Sequence, residues 1–136
     1  MKDTVPDFWD TYLRKHPKIL YDDLGKTEAG QRIRRQLREH MLAYQKMLCC
    51  YCCKSIDFSN SHNEHIKPRS SFPMNSMDYD NLLVSCTSNT CGMAKEKDYN
   101  PETFISPLME DCEEHFRFLA DGRIEGTTDK GADTIK

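Results

Sequence analysis

The chain has 136 residues, with 19 Lys and Arg against 22 Asp and Glu, 38% apolar residues and a mean hydropathy of −0.76. A chain of this size and composition is expected to form one soluble domain, which excludes a multidomain enzyme. No window approaches the roughly 18 to 20 apolar residues of a membrane span, and the N-terminus lacks the basic-then-apolar order of a signal peptide. We therefore expect a cytoplasmic protein with no membrane partner.

Charge is distributed unevenly along the chain. Residues 1–72 carry a net charge of +4 and residues 73–136 a net charge of −7, so the two halves are expected to face different partners. Four arginines fall within seven residues of the basic half, at Arg32, Arg34, Arg35 and Arg38. A phosphate backbone could bind them, although a charge run on a helix is usually only a solvated face.

The first 48 residues predict a helical segment that packs on the rest of the protein. Residues 7–16 carry aromatic and apolar residues at helical spacing and stop before Pro17. A second helix is predicted from Glu28 to Leu48, because apolar residues recur on one stripe. The members of that stripe are Ile33, Leu37, Met41, Tyr44 and Leu48.

Residues 49–100 are short, polar and rich in turns, and residues 101–136 form a C-terminal extension. We predict strand pieces at Ile66 and over residues 81–84, a loop over 67–80 and a helix opening after Cys91. A strand pair is predicted within residues 116–126 around the turn at Asp121 and Gly122. The final ten residues have little to pack and are expected to end without a closing element.

The cysteines indicate a metal site. Seven is an odd total, and four of them lie within five residues, which favours ligation over disulfides in a reducing compartment. The first Cys-x-x-Cys pair is Cys49/Cys52 or Cys50/Cys53, and the second pair is Cys86 and Cys91. We prefer Cys49/Cys52, because the residue after the second ligand of a zinc knuckle turns tightly and is usually small. The four cysteines predict a structural Zn²⁺ site, and Cys112 is not expected to be a ligand.

Between the cysteine pairs lie residues suited to phosphodiester hydrolysis. Such an enzyme needs an imidazole to deprotonate water, an oxygen ligand for a divalent metal and a polar residue that fixes the loop between them. His65, Glu64 and Asn81 meet these requirements. Neutral histidine suits the role of base at cellular pH.

The chain resembles HNH endonucleases of the ββα-metal class in the order of its motifs. These are a Cys pair, an acid-His-x-x-Pro motif, Asn-Leu, a second Cys pair and Lys. The runs QKMLCCYC at residues 45–52 and HNEHIKP at residues 62–68, with the later Cys91-Gly92, are similar to the PtuB nucleases of Septu anti-phage defence systems and their retron-associated relatives. This likeness spans nearly the whole chain. It implies an α+β fold, with a ββα-metal HNH core and four-cysteine zinc knuckles behind an N-terminal helical segment.

The resemblance also implies roles for individual residues. His65 is expected to be the general base, Glu64 to bind a catalytic Mg²⁺ or Mn²⁺, and Asn81 to hold the loop and orient the histidine. DNA is the implied substrate, and an ABC-type ATPase of the PtuA kind is the implied partner, in a bacterial cytoplasm. Relatives of this kind continue past the point that matches Ile135, so the C-terminal extension is expected to be truncated.

One position departs from the family pattern. The third signature residue, usually a His or Asn metal ligand, directly follows the last zinc cysteine, and here it is Gly92. Asn89 or His62 could substitute for this residue. We favour His62 as the metal ligand or phosphate contact, because it shares a strand face with Glu64. Lys95 matches a lysine often found in this helix and could contact phosphate.

We therefore expect a metal-dependent HNH endonuclease that is the effector of an anti-phage defence complex. One alternative is a non-catalytic zinc-ribbon module that binds nucleic acid or a partner, for which Gly92 is the best argument. Another is a scaffold whose acidic C-terminal half docks the ATPase.

Overall fold

The computed structural model describes residues 4–135, which divide into two compact units, residues 4–97 and residues 98–135. The division arises because the C-terminal residues form a small sheet and helix of their own. The first unit mixes helices with a two-stranded sheet, and no helix in the described range is long and apolar enough to cross a membrane. The helices are α1 (Asp7–Lys15), α2 (Tyr21–Leu24), α3 (Glu28–Tyr44), α4 (Gly92–Asp98) and α5 (Asp129–Thr134); the strands are β1 (Ser61–His65), β2 (Leu82–Cys86), β3 (Phe116–Phe118) and β4 (Ile124–Gly126).

Helix α3 is the longest element of the first unit and carries much of its core. It begins at an N-cap, Thr27, whose side-chain oxygen accepts a hydrogen bond from the backbone N–H of Gly30 at 3.0 Å. Leu37 and Met41 are completely buried, as the apolar stripe predicted. The helix ends at Tyr44, so its predicted extension to Leu48 was wrong. Two residues beyond this end have positive φ, 53° at Lys46 and 61° at Met47, which the right-handed helix does not allow.

The N-terminal helices α1 and α2 pack on the same core. Trp9 of α1 is fully buried, and its indole N–H donates to the Met77 carbonyl at 3.2 Å. The four-residue helix α2, which the sequence reading did not predict, buries Tyr21 and Leu24. Both helices therefore anchor the segment that connects the two strands of the first unit.

Strands β1 and β2 form an antiparallel pair, with Ser61 opposite Cys86 and His65 opposite Leu82. The predicted strand at residues 81–84 is close to β2, but β1 ends just before Ile66, where a strand piece was predicted. The side chain of Gln45 accepts from Val84 N at 2.8 Å and donates to Val84 O at 2.7 Å. Because this amide fills hydrogen-bonding positions on β2, the end of α3 is joined directly to the sheet.

The C-terminal unit contains β3, β4 and α5. The predicted strand pair around Asp121 and Gly122 is confirmed, with Phe116 opposite Gly126. The expectation that the tail ends without a closing element was wrong, because α5 forms there. Its N-cap, Thr128, accepts a hydrogen bond from Gly131 N at 3.1 Å.

Candidate functional site

Four cysteine sulfurs converge within the first unit. Cys49 and Cys52 lie in the turn after α3, Cys86 ends β2, and Cys91 immediately precedes α4. Their Sγ atoms all lie within 4.8 Å of one another, and those of Cys52 and Cys86 are 3.9 Å apart. A zinc ion bound by four thiolates at about 2.3 Å holds its sulfurs roughly 3.8 Å apart. The donor set and its dimensions therefore fit a tetrahedral zinc ion.

The backbone of the first knuckle explains which sulfurs converge. Cys49 N donates to Lys54 O at 2.9 Å, and Cys53 N donates to Cys49 O at 3.1 Å, so the chain folds tightly over the first ligand. Cys53 has a positive φ of 58°, which is the tight turn after the second ligand. Cys50, Cys53 and Cys112 lie outside the cluster.

Three of the four cysteine thiols have pKa values that are shifted in opposite directions. A hydrogen bond from the Cys50 thiol lowers the pKa of Cys49 to about 3, whereas burial raises the pKa of Cys52 and of Cys91. Thiolates crowded together repel one another unless a cation balances their charge. Zinc supplies that charge when bound, so full deprotonation of the set depends on the metal.

His65 lies at the end of β1 and is 7% exposed. Its Nε2 is 2.9 Å from the carbonyl oxygen of Ser76, and its ring meets the Tyr21 ring edge-on with centroids 4.5 Å apart. Because a carbonyl only accepts, Nε2 carries the hydrogen and Nδ1 carries the lone pair. No described residue hydrogen-bonds Nδ1. Burial lowers the pKa of His65 to about 4, so the imidazole is neutral and able to accept a proton at neutral pH.

Asn81 connects both ends of the loop that follows β1. Its side-chain oxygen accepts from Lys67 N at 2.7 Å, and its amide nitrogen donates to Lys67 O at 3.1 Å and to Asn75 O at 3.2 Å. Its backbone carbonyl accepts from Ile66 N at 2.9 Å. These bonds fix the residues directly before Ser76, whose carbonyl orients the His65 ring.

Glu64 is buried beside His65 and bound through one of its two oxygens. Its Oε1 accepts from the Tyr51 hydroxyl at 2.9 Å and lies 2.9 Å from the Lys95 ammonium. Burial raises the pKa of Tyr51, which keeps that hydroxyl protonated. Oε2 makes no hydrogen bond with another described residue, and Glu64 lines a cleft of about 280 Å³. Oε2 is therefore the oxygen available to a ligand in the cleft.

Lys95 of α4 connects two structural elements at the site and also supplies a positive charge there. Besides Glu64, its ammonium contacts the carbonyls of His65 at 2.6 Å and Ile66 at 2.5 Å. The sequence suggested a phosphate contact or a solvated lysine, but the side chain is only 9% exposed. Lys95 thus joins α4 to the end of β1, and it neutralises the carboxylate on which a catalytic cation would depend.

Gly92 leaves no room for the third ligand that HNH nucleases carry at this position. A Cβ atom there would lie 2.2 Å from Glu64 Oε2 and 2.9 Å from Ser85 Oγ. The Glu64 carboxylate therefore occupies the volume into which any side chain at residue 92 would grow.

His62 and Asn89, the substitutes considered for that ligand, are in different surroundings. His62 lines the cleft together with Glu64 and His65, and its Nε2 is 2.9 Å from Ser85 Oγ. Asn89 is exposed in the turn between the second pair of cysteines and does not line the cleft. Within residues 4–135, only the four cysteines form a group of three or more His, Cys, Asp or Glu donors suited to one ion.

The sequence reading missed three contributors to this site. Tyr51 bonds to Glu64, Ser76 orients His65, and Arg69 lines the cleft. The position of Tyr51 between two predicted zinc ligands was a signal for burial near the cysteine cluster. Ser76 acts through its backbone carbonyl, for which the sequence holds no signal.

No protein-family model matches the chain. Over 102 residues it is 32% identical to the "Retron Vc95 putative HNH endonuclease" of Vibrio cholerae serotype O1 biovar El Tor, an alignment that covers 69% of this chain. The chain spans about half of that relative's length, 48%. This distant homologue supports an assignment to the HNH endonucleases, and it does not distinguish the Septu nucleases from the retron-associated ones. Over 69% of its length, the chain is thus similar to a retron protein whose name describes it as an HNH endonuclease.

Proposed function

We propose that the protein is a metal-dependent HNH endonuclease that hydrolyses DNA, with a structural Zn²⁺ on Cys49, Cys52, Cys86 and Cys91. The observation that carries the proposal is the arrangement of His65. The buried neutral imidazole is oriented through Nε2 by a backbone carbonyl and keeps its Nδ1 lone pair unused, and His65 lines the same cleft as Glu64. That arrangement is what a general base for water requires.

In the proposed reaction, His65 Nδ1 accepts a proton from a water molecule as the water oxygen attacks the phosphorus. The bond to the leaving 3′ oxygen then breaks, and that oxygen takes up a proton from solvent. Asn81 and Ser76 hold the imidazole in place throughout. The hydrogen bond from Nε2 to Ser76 O keeps the ring in one orientation before it acts.

A catalytic Mg²⁺ or Mn²⁺ fits the donor chemistry, although the protein supplies few donors. Glu64 Oε2 and His62 are the groups that would hold it, and Gly92 contributes none. Magnesium sites commonly use one or two carboxylates, waters and substrate phosphate, so a sparse donor set is acceptable. When bound, the ion would neutralise charge that develops on the phosphate.

We assign β1, β2 and α4 to a ββα-metal core within residues 49–100, residues 1–48 to a helical segment packed on it, and residues 101–136 to an extension.

By resemblance to PtuB, we propose that the protein is the effector of an anti-phage defence complex and binds an ABC-type ATPase of the PtuA kind. The cytoplasmic location stays a prediction.

The test is cleavage of supercoiled plasmid by the zinc-loaded chain, with and without the ATPase, in Mg²⁺ and then in Mn²⁺. We expect nicking or linearisation that is lost in His65→Gln and Glu64→Gln. His16→Gln, an exposed histidine of the N-terminal segment, is the matched control and should cleave normally. Zinc content and circular dichroism must be unchanged in every variant compared.

A second candidate function is a zinc-stabilised module that binds nucleic acid without cutting it. Two observations favour it, namely the absence of a ligand at Gly92 and the Lys95 ammonium on Glu64. If the chain binds DNA but neither metal nor ATPase produces any nicking, this function replaces the first.

A further inference from the structure

A second cleft lies beside the candidate active site and is rich in arginine. Its volume is about 210 Å³, and no Asp or Glu is among the residues that line it. The lining residues are Tyr21, Arg34, Arg38, His62, Asn63 and Arg69. Three guanidinium groups in a cleft without carboxylates favour an anionic ligand.

The guanidinium groups of Arg34 and Arg69 are held on one aromatic ring. Their Cζ atoms lie 5.0 Å and 5.2 Å from the centroid of the Tyr21 ring. Arg34 makes no hydrogen bond or ion pair through its guanidinium with another described residue. Arg69 pairs with Asp22 at 3.2 Å, but both of these side chains are exposed, so the pair is weak. Both groups therefore keep donors for a ligand.

Arg38 is fixed more firmly and has an unused donor. Its Nη1 donates to Ser61 O at 2.7 Å, and its guanidinium lies over the Phe58 ring, 3.8 Å from the centroid. Its Nε is buried without a hydrogen-bond partner in the described chain. A buried unpaired donor is costly. Arg38 also adds its positive charge to the lining of the cleft.

The second cleft adjoins the first. His62, Asn63 and Arg69 line both, so a ligand in the arginine cleft would lie directly next to the cleft that contains Glu64 and His65. A nucleic-acid strand carries phosphates at regular intervals on both sides of the bond to be cut. The position of the arginine cleft suits one of these neighbouring phosphates.

We propose that Arg34, Arg38 and Arg69 bind a backbone phosphate of a nucleic-acid strand whose adjacent phosphodiester lies in the His65 cleft. This inference rests on the proposed function for its choice of ligand. It assigns binding to one face of α3 and leaves the exposed arginines of the same helix, Arg32 and Arg35, without a role in binding.

The experiment measures fluorescence anisotropy of a labelled short DNA duplex, and of the corresponding single strand, titrated with the zinc-loaded full chain without added divalent metal. Arg34→Gln and Arg69→Gln should each raise Kd about 5- to 10-fold and reduce the slope of log K against log salt by about 1. Arg32→Gln and Arg35→Gln remove the same charge from exposed positions and should change Kd less than about twofold. Arg38→Gln is compared only if it retains zinc and its circular dichroism spectrum, since Arg38 also supports Ser61.

Equal losses for Arg34→Gln and Arg35→Gln would overturn the proposal, because binding would then follow net charge and not the cleft. Absence of binding by the unmodified chain at low salt would also overturn it. The readout is separate from cleavage. If binding depends on the cleft but no nicking occurs, this inference stands and the nuclease function fails. If nicking depends on His65 but Arg34→Gln binds DNA normally, the nuclease function stands and this inference fails.

Discussion

Lys95 and Glu64 form an ion pair at 2.9 Å in which the side chains are only 9% and 6% exposed. The ammonium also contacts two backbone carbonyls at the end of β1. Desolvation makes such a pair a weak source of net stability, but loss of one partner leaves the other charge buried and unbalanced. The position of α4 against β1 and the charge of the candidate site therefore depend on the same lysine.

Replacement of Lys95 by Met should destabilise the zinc-loaded chain by about 3–5 kcal/mol, because the Glu64 carboxylate loses its counter-charge. The free energy of unfolding is measured in urea. Lys97→Met removes an exposed lysine from the same helix and should change stability by less than about 0.5 kcal/mol. In a Glu64→Gln background, Lys95→Met should lower the free energy of unfolding by at most about half as much as it does alone. If the two substitutions lower that free energy by strictly additive amounts, the proposed ion pair is contradicted.

Gly92 should accept no side chain while Glu64 is in place. Gly92→Ala is expected to cost about 1–3 kcal/mol, since its Cβ would lie 2.2 Å from Glu64 Oε2. The measurement is urea unfolding of the zinc-loaded variant. In a Glu64→Ala background the carboxylate is gone, and the same substitution should cost clearly less. A cost that is equal in both backgrounds would show that the contact is not the reason for glycine at this position.

Local sequence patterns predicted the parts of this fold that depend on local physical chemistry. The choice of Cys49 over Cys50 followed from the tight turn at Cys53, and the apolar stripe of α3 identified Leu37 and Met41 as core. The helix α5 was missed although Thr128 is a typical N-cap, because six residues give too weak a periodic signal.

The candidate site contains relationships that the sequence could not have predicted. The carboxylate of Glu64 fills the space beside Gly92, 28 residues later in the chain, and Ser76 orients His65 through a backbone carbonyl. Both contacts depend on how distant segments of the chain pack, and no residue type in the sequence indicates either of them. In the arginine cleft, the spacing of four residues in a helix places Arg34 and Arg38 on one face, but nothing in the sequence indicated that Arg69 would lie beside them.

Zinc should depend on four of the seven cysteines. Serine at Cys49 or Cys91 is expected to abolish tight zinc binding and unfold much of the first unit, because the cluster joins the turn after α3 to β2 and α4. Zinc is measured by elemental analysis, with about one ion per chain expected for the unmodified protein. Cys53→Gly is the matched control and should keep its zinc, with stability unchanged or slightly raised, since glycine accepts the φ of 58° without strain. Loss of zinc from this control would refute the assigned register.

His65 should remain neutral well below the pH at which an exposed imidazole gains a proton. Burial lowers its pKa from 6.5 to about 4, so the folded protein binds this proton less readily than the unfolded chain does. Stability of the fold should therefore fall as the pH drops from about 6.5 towards 4, and cleavage should show no acidic limb near 6.5. The direct measurement is an NMR titration of the His65 ring from about pH 5 to 8 in the zinc-loaded chain, assigned by comparison with His65→Gln. Zinc content is followed at each pH, and a His65 resonance that titrates near 6.5 while zinc is retained would refute both the burial argument and its consequence for catalysis.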